Sequence, residues 1–207
     1  GDGYFVEGDR PSTGLCFGPD EKFAQNKLIP LFRKIFECNS SSYIAKDDVI
    51  SIATEKRIAI EKLRKLGFKG GRAPNKEVPK PIFTAEPEKI KAYLGGLFSA
   101  DGEVSSYRRR VRLSSASNKL IIQTQMLLLN FGIKSRISKS KVDRRIWYEL
   151  AINAASYDKF ADLIGFPLSP LKQELLIIKL NTKVRKRIDN AFSSVKSINY
   201  VGFSEVY

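Results

Sequence analysis

Two aspartates, each followed by glycine, carry the chemistry available to this sequence. Asp101-Gly102 closes the run Tyr93-Leu94-Gly95-Gly96-Leu97-Phe98-Ser99-Ala100, and Asp2-Gly3 stands at the start. None of the 207 residues is histidine, which excludes Ser-His and Cys-His nucleophile systems and the usual imidazole base. Any reaction must run on carboxylates, lysines and metal-activated water. Two carboxylates brought together repel unless a cation lies between them, and hard oxygen ligands suit Mg²⁺, with Mn²⁺ as the alternative. Such an ion lowers the pKa of water and offsets charge on a phosphate during in-line displacement. The carbonyls of Gly1 and Ala100, beside the two acids, complete the expected ligand set. A lone Asp-Gly is ordinarily only a turn; here its setting argues for more.

That setting is a helix bearing a stripe of small residues. Gly95, Gly96, Ser99 and Ala100 recur at helical spacings, so another backbone can approach closely along them. Glycine costs a helix interior about 1 kcal/mol against alanine, so two in succession need a packing reason. A second helix lying alongside, with Asp2 and Asp101 facing each other at its foot, supplies it. The sequence also repeats. Asp2-Gly3 returns as Asp101-Gly102, 99 residues on, and Leu66-Gly67-Phe68 returns as Ile164-Gly165-Phe166, 98 residues on. Two landmarks at nearly one offset indicate a duplicated unit.

In the first copy, Tyr4–Glu7 and Thr13–Phe17 read as a hairpin and Asp20–Phe36 as a helix that Pro30 should kink. Tyr43–Ala45 and Val49–Ile52 read as strands, and Glu55–Leu66 as a helix stopped by Gly67. In the second, Glu103–Ser106 and Arg109–Leu113 read as strands, and Ser117 caps an apolar helix running to Phe131. Ile133–Ser138 and Ile146–Ile152 follow as a hairpin, then Tyr157–Ile164 and Leu171–Ile188 as helices. Between the copies, Gly67–Pro81 has the Gly, Lys and Pro content of a linker.

The composition, 43% hydrophobic and 28% charged, is that of a globular chain, and its net charge of +14 selects a polyanionic partner. The charge is uneven. Gly1–Leu66 has eleven basic and ten acidic side chains, whereas Glu103–Trp147 has eleven basic and two acidic. Cys16 and Cys38 fall in no metal-ligand spacing and suit a reducing, intracellular compartment, the cytoplasm. No stretch reaches the length of a membrane span, and no basic-then-apolar leader is present.

Leu94 to Gly102 resembles the LAGLIDADG motif of homing endonucleases, matching at Leu94, Gly96, Leu97, Ala100, Asp101 and Gly102, and Gly1-Asp2-Gly3 is similar to the tail of a first such motif. Asn75-Lys76-Glu77-Val78-Pro79 resembles the lysine-and-proline block before the second motif of intein-encoded members. Phe131-Gly132-Ile133-Lys134-Ser135-Arg136-Ile137, and Ile164-Gly165-Phe166 with Lys172, resemble later blocks. The resemblance implies an α+β fold of two pseudo-symmetric αββαββα units with saddle-shaped antiparallel sheets astride duplex DNA, the first motif's helix being truncated here. It makes Asp2 and Asp101 the metal-binding catalytic acids and Lys76 and Lys172 catalytic lysines that position water or stabilise the phosphorane. Residues 1–68 become the first half, 69–86 a linker, 87–190 the second half, and 191–207 the start of an intein splicing segment that stops short of its His-Asn end. A second polypeptide supplying the first helix and the splicing domain is the implied partner.

Arg108, Arg109, Arg110 and Arg112 lie on one predicted hairpin, and Lys134, Arg136, Lys139, Lys141, Arg144 and Arg145 on another. Alternation lets Arg108, Arg110 and Arg112 project together into a groove. Arginine bridges guanine O6 and N7 while other cations meet phosphates, so binding should weaken steeply with salt. The expected function is site-specific, metal-dependent double-strand cleavage of DNA as the endonuclease part of an intein, giving a staggered cut. The alternative is a cleavage-inactive nucleic-acid-binding module of the same fold, of the maturase or regulator type.

Overall fold

The structure, a computed structural model, describes residues 2–44, 48–142 and 145–181. The first half runs β1 (Asp2–Val6), β2 (Ser12–Phe17), α1 (Lys22–Phe36), β3 (Tyr43–Ile44), β4 (Ile50–Thr54) and α2 (Arg57–Lys65). The second runs α3 (Pro87–Asp101), β5 (Gly102–Val104), β6 (Val111–Ser115), α4 (Asn118–Asn130), β7 (Arg136–Val142), β8 (Arg145–Ile152), α5 (Ala154–Leu163) and α6 (Pro170–Leu180). Each half forms a four-stranded antiparallel sheet, in the orders β1-β2-β4-β3 and β5-β6-β8-β7. The same permutation in both halves is the structural signature of the repeat.

Alternation along the strands sets one face of each sheet against helices. Phe17 and Ile52 meet Phe32, Phe36 and Ala59 in the first core. Val111, Leu113, Leu150 and Ile152 meet Leu94, Phe98, Leu127, Tyr157 and Phe160 in the second. The ring of Phe98 lies 4.9 Å from that of Phe160 and 6.5 Å from that of Phe166, edge to face. Ser117 caps α4 by accepting the Leu120 amide at 3.1 Å. Pro30 sits within α1, which runs through it to a left-handed Glu37. The predicted helix 171–188 is described only to Leu180, its remainder and the segment 191–207 lying outside the described residues.

The segment between the copies is docked. It carries two 3₁₀ turns, Ala73–Asn75 and Lys80–Thr84. Val78 is buried in the second core and its amide donates to Gln123 at 2.8 Å, while the Lys76 carbonyl accepts the Ser117 hydroxyl at 2.6 Å. Glu77 lies between Lys119 and Lys69, the latter at 2.7 Å. The Lys119 and Lys69 ammoniums pull its carboxyl from the ordinary 4.5 down to about 2. A carboxyl lowered on folding contributes stability above its unfolded pKa and loses it as pH falls through the folded value. Thermal melts should therefore show Glu77→Gln less stable than the parent at neutral pH, with the gap closing as pH falls from 4.5 towards about 2. A gap unchanged across that window would count against the clamp.

Candidate active site and nucleic-acid interface

Asp101 is the last residue of α3, and Gly102 turns the chain into β5. Gly102 is demanded by close approach, since a Cβ there would lie 2.4 Å from the Phe98 carbonyl oxygen. The small-residue stripe of α3 divides between two neighbours. A Cβ on Gly95 would lie 2.8 Å from Pro167 Cγ, and Ser99 Oγ accepts the Leu168 amide at 3.1 Å, so this side packs on the segment following α5. Gly96 has nothing within 4 Å of its Cβ position. The companion helix expected along the stripe is thus replaced on one side by the 167–168 segment, and the other side faces a narrow cleft shared with Glu21, Ala24 and Leu28 of the first half.

A groove of about 610 Å³ runs between the two halves. Gly3, Lys76 and Asp101 line it together with an apolar bed that includes Leu28, Leu31, Ile35, Tyr93 and Leu97. Burial pushes the Tyr93 hydroxyl up to about 12, keeping it neutral. Asp2 opens β1 in register with Cys16, and the residue that lines the groove there is its neighbour Gly3. Gly1 lies outside the described residues.

Lys172, on the first turn of α6, spans the end of α3. Its ammonium donates to the carbonyls of Ser99 at 2.8 Å and Ala100 at 3.0 Å, where the helix leaves acceptors unpaired. Glu21, which no sequence motif singles out, shares the α3 cleft with Ala100 and Ser99. Burial pushes its carboxyl up, yet hydrogen bonding, including the Gly18 amide at 2.8 Å, and the charge of Lys172 leave it below the carboxylate norm. The oxygens at this point already face a cation, the Lys172 ammonium. The Glu21 carboxylate and the Ser99 and Ala100 carbonyls are hard oxygens of the kind a small divalent ion takes, the two carbonyls being held here by Lys172.

The basic residues divide by face. On the open face of the second sheet, Arg110 and Arg112 both meet Glu149, the second at 3.4 Å, and Arg112 meets Glu103 at 2.5 Å. Arg136 and Arg145 share this face through their register with Ala151 and Val142. Lys139 and Lys141 pair with Tyr148 and Ile146 and so project from the opposite side of the hairpin, on the face that carries Leu150. Arg109 departs from its expected role. It forms an ion pair with Asp158 of α5 and lies over the Tyr157 ring at 5.2 Å, turned to the helix layer, just before β6 begins at Val111. Arg108 and Lys134 are exposed, and Arg144 lies outside the described residues. Exposed Tyr107 at the β5–β6 turn and Trp147 on β8 add aromatic surface beside these cations. The open face of the first sheet, by contrast, presents Tyr4, Gly14, Cys16 and Ser51 and no arginine among the described residues.

Comparison with known proteins agrees with this architecture. Two antiparallel four-stranded sheets with helices match the fold of the LAGLIDADG homing endonucleases. Residues 88–165 match the family model described as a LAGLIDADG-like domain. Among solved structures, I-DmoI in complex with DNA and Ca superposes with a TM-score of 0.61 at 18% identity, covering 87% of this chain and 91% of that one. I-WcaI bound to its DNA recognition sequence gives 0.53 at 16%, covering 85% and 80%. Full-length DUF199/WhiA from Thermatoga maritima also gives 0.53 at 16%, covering 89% and 58%. In sequence, the chain is 29% identical over 185 residues to the replication factor C small subunit of Methanocaldococcus jannaschii, covering 86% of this chain and 10% of that protein. It is 28% identical over 186 residues to the glutamine–fructose-6-phosphate aminotransferase of the same organism, covering 84% and 16%. The chain spans about a tenth to a quarter of the length of the curated relatives it matches first.

Proposed function

We propose that this chain is a site-specific DNA endonuclease unit carried as an insertion, of the intein type, within a larger host protein. One observation supports it most: Asp101, Lys76 and the neighbour of Asp2 line a single groove between two homologous halves, beside a strongly basic sheet. Asp101 with the Ala100 carbonyl, and Asp2 from the first half, would hold a divalent cation, Mg²⁺ or Mn²⁺, which when bound supplies positive charge to a scissile phosphate. Lys172 keeps a second positive charge fixed at the same helix end by its two carbonyl contacts. Lys76 stands where its ammonium can meet a phosphate oxygen or orient water at the groove. Arg108, Arg110, Arg112, Arg136 and Arg145 would engage duplex DNA, with Lys134, Lys139 and Lys141 meeting phosphates. Insertion into a host accounts for one segment matching proteins as unlike as a replication factor C small subunit and a glutamine–fructose-6-phosphate aminotransferase over small parts of their length. Two free cysteines suit the reducing cytoplasm.

Incubation with the host gene lacking the insertion, in Mg²⁺, is expected to give one staggered double-strand cut at the insertion point and none in EDTA. Intact DNA in both conditions would overturn the proposal. The other reading, a binding module without cleavage, draws on the Ala100 carbonyl being already engaged by Lys172 and on the likeness to WhiA. It predicts retention of the duplex without cutting.

The apolar groove suits an amphipathic helix from another segment or polypeptide, laid against Tyr93 and Leu97 of α3. A peptide with the sequence of residues 88–99 is a surrogate. At a hundred times its Kd, such a ligand adds about 2.7 kcal/mol, a rise in Tm of at least about 5 °C for a chain of this size. An unchanged melt at saturating peptide would exclude that occupant.

A further inference from the structure

Two carboxylates stand on a sheet face whose charge otherwise favours phosphate, and each touches an arginine. Glu149 of β8 bridges Arg110 and Arg112 through its two oxygens, and Glu103 of β5 takes the other terminal nitrogen of Arg112 at 2.5 Å. All four side chains are partly exposed. An acid here lowers attraction to any duplex, so it needs a return other than affinity. The return lies in geometry. Both terminal nitrogens of Arg112 are fixed, by opposing partners, on neighbouring strands of one rigid sheet. Each terminal nitrogen carries two protons and the carboxylates take one, so outward-facing donors remain. The buried Nε atoms of Arg110 and Arg112 have no partner among the described residues, so the carboxylates alone hold the forks.

We propose that Glu149 is a specificity-determining residue: it holds the Arg110 and Arg112 guanidiniums off the phosphate backbone and keeps them aligned for guanine edges. This rests on the DNA-binding reading above. An arginine free to swing meets the nearest phosphate whatever the sequence, whereas a clamped fork pays its ordering cost before binding and finds good geometry only at O6 and N7. A carboxylate left in the groove repels phosphate and accepts a hydrogen bond from cytosine N4, which penalises other bases at the same pair. Glu103 plays the lesser part, holding Arg112 alone.

The test selects duplexes from a random-sequence pool in Ca²⁺ with the unmodified chain, Glu149→Gln and Glu103→Gln, then measures affinity for selected and unselected DNA across salt. Glu149→Gln is expected to bind unselected DNA more tightly and to steepen the log–log salt slope by about one to two as freed arginines reach phosphates. It should relax the selected motif at guanine positions and cut the specific-to-nonspecific ratio about tenfold. Glu103→Gln should do the same more weakly. A motif, ratio and salt slope unchanged in Glu149→Gln, or a uniform loss of affinity for both DNAs, overturns the proposal while leaving the DNA-binding reading intact. Failure of the unmodified chain to enrich any motif overturns both. Should Glu149→Gln melt before binding can be read, Glu103→Gln decides by the same criteria.

Discussion

Asp101→Asn is expected to reduce double-strand cleavage at least about a thousandfold while leaving duplex affinity in Ca²⁺ within a few-fold of the parent. The carboxylate and amide are nearly isosteric, so the end of α3, the turn at Gly102 and the Phe98 packing above it remain. What disappears is one negative charge at the groove. Lewis-acid assistance is worth several kcal/mol, and each 1.36 kcal/mol is a factor of ten in rate. On the proposed reading, binding is carried elsewhere, chiefly by the basic open face of the second sheet, so it should survive or tighten slightly as phosphate repulsion falls. The discriminating measurement is single-turnover cleavage beside filter binding on the same DNA. Equal cleavage by variant and parent would remove Asp101 from the chemistry; equal absence of cleavage with binding retained in both would favour the binding-module reading.

Phe98→Ala is expected to cost about 3–5 kcal/mol, the range for emptying a large buried aromatic site. Phe98 is fully buried and stands edge to face with both Phe160 and Phe166, contacts that add about 0.5–1.5 kcal/mol beyond area. Neighbours on α3, α5 and the following loop cannot collapse into the void without shifting the helix that ends in Asp101. Urea unfolding followed by circular dichroism reads the loss directly, with the more nearly isosteric Phe98→Leu falling well short of it. A loss below about 1 kcal/mol would mean that the aromatic cluster does not fasten α3.

The elements fixed by local chemistry were legible in the sequence. The apolar period of α4, its serine cap and the alternation of β8 are nearest-neighbour properties, and so was the repeat, because both landmarks are contiguous strings. What depended on distant partners was not legible. Arg109 looks like its neighbours until Asp158 and Tyr157, nearly fifty residues on, turn it to the helix layer. The stripe on α3 does call for close approach, but nothing local says that Gly95 meets Pro167 and not a second helix. Glu21, Glu103 and Glu149 were silent because an isolated glutamate carries no signal; only the fold sets them against Lys172, Arg110 and Arg112. At the site itself, Asp101 and Lys76 belong to contiguous motif strings, and the groove that holds both with Gly3 emerges only from packing of the two halves.

The docking of the stretch between the copies bears on how this molecule can be recombined. Val78 is buried in the second core and Glu77 is tied to α4, whereas Gly70 donates its amide to Glu7 of the first half at 3.0 Å. A chimaera that grafts one half onto a foreign mate must therefore be joined upstream of Lys76, near Gly71. Crossovers placed later would leave Gln123 without its donor, the Val78 amide, and Ser117 without its acceptor, the Lys76 carbonyl, and strip the graft of its own doorstep.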